Sequence, residues 1–276
     1  MVQTYRTLRV APAGTGVLSV VLDAPPMNLI GPELVRDLVN LIGELETSQD
    51  VRVAVLESGD PEYFVPHVDL TKVAEYTAEA AKAGGPGDAS LGMLWHKLSE
   101  LPVVTIAKVR GRARGAGSEL ALACDMRFAA IENAVFGQIE VGAGAMPGAG
   151  GVQHLARLLG RGRAMEAILG ADDFGAELAE RYGWINRALP DADLDAFVAR
   201  LARRIASFPA EAVMTAKRVI DELTLPGPDA IRADARRFRQ LVASDPAQAR
   251  TAALFAQGLQ TRGPLELDLG DRLGAL

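Results

Sequence analysis

Hydrophobic spacing divides the chain into regions of different character. Residues 15–22 form a short, nearly unbroken apolar run that stops at Pro25-Pro26, and they predict a buried strand. From residue 33 to 45 the leucines Leu34, Leu38, Leu41 and Leu45 recur three or four apart, the spacing of one helix face. Val51-Arg52-Val53-Ala54-Val55-Leu56 then predicts a second strand. Two strands flanking a helix form a βαβ unit, so the expected architecture is mainly α/β. A helix near 90–101 leads into another buried strand over 103–109, and a glycine-rich bend follows at once. Glu119-Leu120-Ala121-Leu122-Ala123 predicts a helix opening at that bend. Between two helical stretches, Ala83-Gly84-Gly85-Pro86-Gly87-Asp88 predicts a mobile loop.

Beyond Asp191 the pattern becomes helical. Segments 194–206, 210–223, 230–242 and 246–259 carry helix spacing, with Pro209, Pro226-Gly227 and Pro246 as breaks. No strand is apparent after Trp184-Ile185-Asn186-Arg187-Ala188-Leu189. The chain therefore divides into an α/β core, residues 1–205, and a helical C-terminal region, residues 206–276. It shows no fixed-period repeat and no low-complexity tract.

Composition narrows the function classes. At 276 residues the chain can bury a core without a disulfide or a metal. Cys124 is the sole cysteine, so neither an intrachain disulfide nor a cysteine-rich zinc site can form, and the expected compartment is reducing. The first residues show no basic start followed by an apolar run, and nowhere do eighteen apolar residues run together; the expectation is a cytoplasmic protein without a membrane span. A net charge of −6 argues against a nucleic-acid partner, while leaving room for a local basic patch that holds a phosphorylated small molecule. Three scattered histidines, His67, His96 and His154, make no metal-ligand spacing.

The chemistry concentrates around two glutamates, each following a glycine-rich bend. Glu119 closes Gly111-Arg112-Ala113-Arg114-Gly115-Ala116-Gly117-Ser118-Glu119. Glu140 closes Phe136-Gly137-Gln138-Ile139-Glu140 and leads to Pro147-Gly148-Ala149-Gly150-Gly151. Two carboxyls can divide acid and base roles when their environments separate their pKa values. Glycines beside them let backbone N–H groups approach a ligand oxygen, and a strand-to-helix bend near Ala116 adds the unpaired N–H groups and the dipole of a helix start. A carbonyl compound passing through an oxyanion fits such a site; a tight turn with no ligand explains the bend alone.

Taken together, these ordered motifs resemble the enoyl-CoA hydratase/isomerase, or crotonase, family. The similarity runs from about residue 17 to 189 and is best over 111–125, 136–140 and 147–151, with Phe64-Val65-Pro66-His67-Val68-Asp69-Leu70 as a weaker match to the family's first oxyanion loop. The resemblance implies a ββα spiral core with a helical C-terminal trimerisation region. It implies an acyl-CoA thioester substrate, an enolate held by backbone N–H groups at Val68 and Ala116, a water-activating Glu119 and a Glu140 that protonates the α-carbon. It places Pro66, His67, Asp69, Leu70, Arg114, Gly115 and Gly148 around the substrate. No cofactor or metal is implied, coenzyme A being part of the substrate, and the assembly implied is a homotrimer or a dimer of trimers.

The sequence also departs from the family pattern. Histidine stands at 67 where the oxyanion loop has glycine, and a left-handed backbone there would force a different loop conformation. His67 is either an acid, base or substrate contact at the site's mouth or a loop histidine facing solvent or capping a helix. Arg110, Arg112 and Arg114 alternate; ion pairing is the favoured reading, with Arg114 the one placed to shape acyl preference. Lys217 is read as solvated or as a contact to a CoA phosphate. The family's basic tail gives way to Leu265-Glu266-Leu267-Asp268-Leu269. The expected activity is reversible addition of water to a 2-enoyl-CoA. Alternatives are an isomerase working mainly through Glu140, an acyl-CoA hydrolase, and a catalytically silent binding protein.

Overall fold

A computed structural model describes residues 4–84, 88 and 90–276. Of the predicted mobile loop, Gly85-Pro86-Gly87 lies outside the described residues. The chain winds in successive β-β-α turns. After β1 (Leu8–Pro12), β2 (Val17–Leu22) and helix α1 (Pro32–Thr47), the first turn is β3 (Val53–Ser58), β4 (Tyr63–Val65), α2 (Val73–Gly84) and α3 (Leu91–Ser99). The second is β5 (Val104–Val109), β6 (Arg112–Arg114) and α4 (Ala116–Ala123). The third is β7 (Met126–Ala130), β8 (Val135–Gly137), α5 (Gly151–Leu159) and α6 (Arg161–Gly170). β9 (Asp173–Gly175), α7 (Ala176–Tyr182) and β10 (Arg187–Leu189) complete the spiral.

Each turn gives one strand to each of two sheets. The larger has the order β1-β2-β3-β5-β7-β10, parallel except for the antiparallel β1 edge. The smaller has the order β4-β6-β8-β9, with β9 antiparallel. β5 is buried at all six positions because both faces of the large sheet are covered, and covered parallel strands read as continuous apolar runs. One face meets α1, whose Leu34, Leu38, Leu41 and Leu45 all point inward as their spacing predicts. The other meets α8 (Asp191–Ala206), which lays Leu194, Val198 and Ala202 over Val53, Val55, Ile106 and Phe128.

The C-terminal region is α9 (Ala210–Thr224), α10 (Pro228–Val242), α11 (Asp245–Ala256), α12 (Pro264–Leu267) and α13 (Leu269–Leu273). It does two different things. α9 has no buried residue, and its Val219, Ile220 and Leu223 are exposed. α10 to α13 turn back onto the spiral, and Leu254, Leu259, Leu265, Leu269 and Leu273 form a small core with Leu70, Ile139 and Ala143.

Candidate active site

Where α10–α13 close over the spiral lies a cavity of about 160 Å³ with a mainly apolar wall. Its polar end is made by the bends after β4, β6 and β8. Val68, Ala116, Glu119 and Glu140 all line it, as do His67, Leu70, Gly115 and Gly148. Phe238 of α10 and Leu273 of α13 stand in the apolar wall.

The bend after β6 carries the first group of atoms. Gly115 caps α4 with φ 51° and ψ −127°, a conformation that favours glycine, and a β-carbon there would lie 3.0 Å from the Glu140 Oε1. Ala116 is then the first helical residue, so its N–H has no partner within the helix. Glu119 follows one turn later and is only 2% exposed. Its Oε1 accepts hydrogen bonds from the backbone N–H groups of Ala149 and Gly151, each 2.8 Å long. These two amides converge on one oxygen because Gly150 between them is left-handed, with φ 108°.

The loop after β4 supplies the second N–H. Ile30 forms an isolated parallel bridge with Val68: the Ile30 N–H donates to the His67 carbonyl at 3.0 Å and the Asp69 N–H donates to the Ile30 carbonyl at 3.0 Å. In a parallel bridge the central residue's own N–H points the other way. The Val68 N–H is thereby turned from Ile30 while its residue lines the cavity.

Glu119 and Glu140 differ in solvation. Burial raises the Glu119 carboxyl to about 7; the Gly151 and Ala149 amides oppose this rise, and the nearby Asp234 charge adds to it. Burial pushes Glu140 well above the ordinary range, and the neighbouring Glu119 charge pushes it further. Its Oε2 is buried and accepts no hydrogen bond among the described residues. Charge therefore settles on Glu119, where two N–H dipoles hold it, and the proton settles on Glu140.

Other expected positions fall elsewhere. Arg114 is fully buried and does not line the cavity: its Nε–H donates to Asp173 at 2.7 Å and its Nη1–H to the Glu266 carbonyl at 2.6 Å, which leaves it no reach toward an acyl group. Pro66 and Asp69 also stand behind the wall, and the Asp69 carboxylate accepts from Thr71 and Gln260. His67 neither faces solvent nor caps a helix. It is 4% exposed, and its backbone is not left-handed, since Asn28, Ala171 and Gln260 are the non-glycine residues with positive φ among those described. Lys217 is not solvated; it bonds Asp125 at 2.6 Å, Asp221 at 3.0 Å and the Ser99 carbonyl at 2.8 Å. Arg110 pairs with Asp191 and Asp195. His154 is buried, with its pKa lowered to about 4 chiefly by that burial. Cys124 is a buried free thiol.

Sequence reasoning missed the groups that tune and close the site. The Ala149 and Gly151 amides are backbone atoms, and the Pro-Gly-Ala-Gly-Gly run hints at them only as a bend. Phe238 packs against Gly148, where a β-carbon would stand 2.5 Å from it, and lies in a helix with no motif.

A spiral of β-β-α turns that brings two carboxyls and two loop bends onto one cavity is the architecture of a class of acyl-thioester enzymes. The chain belongs to the enoyl-CoA hydratase/isomerase family, whose model matches residues 13–260. It is similar to the short-chain-enoyl-CoA hydratase of Clostridium acetobutylicum, 35% identical over 71% of this chain and 73% of that one. It is also similar to the crotonyl-CoA hydratase of Syntrophomonas wolfei, 34% identical over 71% of this chain and 74% of the relative. Among solved structures, a provisionally assigned enoyl-CoA hydratase from Streptomyces avermitilis superposes with a TM-score of 0.98. It is 62% identical, covering 100% of this chain and 99% of that one.

Proposed function

We propose that this enzyme adds water reversibly across the double bond of a 2-enoyl-CoA. The observation that carries the reading is one cavity lined by two carboxyls, one held by two backbone amides and one with an unpartnered oxygen, together with Val68 and the helix-start residue Ala116. The thioester oxygen accepts from Val68 and Ala116. As the ionised Glu119 takes a proton from water, the oxygen attacks the β-carbon and the π electrons move onto the thioester as an enolate. Two such donors contribute about 3 kcal/mol each where charge develops. The enolate then collapses and its α-carbon takes the proton from Glu140. The net proton passes from Glu119 back to Glu140 before the next turnover.

This route asks for no cofactor apart from the coenzyme A carried by the substrate. The apolar wall toward Phe238 and Leu273 suits a hydrocarbon acyl chain. The exposed apolar residues of α9 support self-association, proposed as a trimer or a dimer of trimers and tested by light scattering. No helix among the described residues is long and apolar enough to cross a membrane, and we assign the protein to the cytoplasm.

A panel of acyl-CoA thioesters, followed simultaneously for hydration, double-bond migration and release of free CoA, tests the reading. Loss of the enoyl absorbance with a 3-hydroxyacyl product is expected. Migration alone would make it an isomerase, CoA release alone a hydrolase, and no turnover with no binding a silent family member.

A further inference from the structure

His67 occupies an unusual position for a buried histidine. Its Nδ1 lies 2.8 Å from the Val68 carbonyl, which can only accept, so Nδ1 carries a proton. Its Nε2 lies 2.9 Å from the Glu266 Oε1, and the two side chains are 5% and 0% exposed. Both ring nitrogens therefore face oxygen acceptors, one a backbone carbonyl and the other a carboxylate. Burial alone would raise the Glu266 carboxyl, but His67, the Gln260 amide and Arg114 hold it below its usual range.

Glu266 belongs to α12, so this contact ties the chain's last segment to the loop that presents Val68. Neighbouring bonds do the same. The Gln260 N–H donates to the Glu266 Oε1 at 2.6 Å, the Leu70 N–H donates to the Gln260 side-chain oxygen at 2.9 Å, and the Gln260 amide donates to Asp69 at 2.9 Å. Arg114 fixes the other side of the strap through the Glu266 carbonyl. The Val68 N–H is thus held between Ile30 on one flank and the C-terminal strap on the other.

Building on the hydratase reading, we propose that His67 and Glu266 are a positioning pair, through which the C-terminal strap fixes the Val68 N–H in the oxyanion hole. The pair touches no reacting atom. It acts by keeping one donor aimed at the thioester oxygen, where small displacements are costly. The histidine makes the donor's aim depend on a residue almost two hundred positions away.

The test compares H67A, H67N, E266A and E266Q in the full-length protein. Each is measured for kcat and KM on a 2-enoyl-CoA, and for the absorbance of a bound aryl-acryloyl-CoA, which moves to longer wavelength as donors polarise its carbonyl. H67A and E266A should lower kcat roughly tenfold to a hundredfold with KM nearly unchanged, and shrink the wavelength shift. E266Q can turn its NH₂ toward the Nε2 of a neutral ring, which keeps both ring bonds but gives up the Gln260 N–H bond to the same atom, so it should stay within about fivefold of the native kcat. H67N keeps the bond to the Val68 carbonyl, loses Glu266, and should fall between H67A and E266Q. If the alanine variants do not fold, H67N below E266Q in both kcat and shift supports the pair, and equal native values in both overturn it. Folded alanine variants with native kcat and native shift, differing only in Tm, also overturn it. A native protein that binds the chromophore without any shift, or does not bind it, would count against the hydratase reading itself.

Discussion

The bends that carry Glu119 and Glu140 open into the same cavity yet solvate their carboxyls in opposite ways. Around Glu119 the chain doubles back at Gly150 so that two amides substitute for water on one oxygen. Around Glu140 no group among the described residues substitutes for water on Oε2, and Gly115 only clears space beside the other oxygen. The first environment tolerates a negative charge, and the second resists one. Under the proposed mechanism identical side chains serve as a base and an acid, and the difference lies in backbone geometry.

Breaking either side gives the largest effects. E140Q removes the only proposed donor to the α-carbon, and kcat for hydration should fall roughly 10³-fold or more. E119Q keeps an oxygen for the Ala149 and Gly151 amides but presents an NH₂ to the water, which cannot take its proton; a loss of about 10³-fold is expected. The two variants differ in their pH profiles. Because the Glu119 charge helps to raise Glu140, E119Q should move the alkaline limb of the residual activity downward. An unmoved limb would show that Glu140 does not titrate against Glu119. Steady-state kinetics from pH 5 to 10 measure both.

Much of this site could be read from the chain, and the parts that could not share a cause. The leucine spacing of α1 and the apolar run of β5 announce themselves because burial on one helix face or both sheet faces leaves a side-chain signature. The strands β6, β8 and β9 have three residues each, too few to show alternation. Glu119 and Glu140 stand out as carboxyls after glycine bends, but their opposite solvation does not, since its agents are main-chain amides and an absent partner. The surroundings of His67, which lines the cavity, are hidden for a related reason. Its partner Glu266 lies in a short acidic-apolar tail segment, and nothing in local sequence brings the two together.

A subtler way to sharpen the contrast is Gly150→Ala. A β-carbon at φ 108° is strained and would lie 3.2 Å from the His154 ring, so the turn must shift and the Gly151 amide with it. Weakening a hydrogen bond to the charged form raises a carboxyl's pKa. The acid limb of kcat/KM, expected near the Glu119 value of about 7, should therefore move upward, with kcat lowered about tenfold. The alkaline limb should stay where it is. Movement of both limbs would mean that the 147–151 bend serves both carboxyls alike.

The smallest effect expected is on stability, and its sign is the informative part. A carboxyl whose pKa is raised on folding binds a proton more tightly in the folded chain than in the unfolded one. Between the ordinary value of 4.5 and the raised value, stability is lost as pH increases. Glu140 should be such a liability, and E140Q, which cannot ionise, escapes it. At pH 4 native and E140Q proteins should melt together. At pH 8 the variant should melt higher by roughly 2–4 °C, equivalent to about 1 kcal/mol. Glu119 is partly relieved by its two amides, so E119Q, which weakens those bonds, should gain less than E140Q over the same interval. Thermal melts of the three proteins at both pH values decide the matter. A pH-independent gain would trace the effect to packing, and a larger gain in E119Q would reverse the assignment of the better-solvated carboxyl.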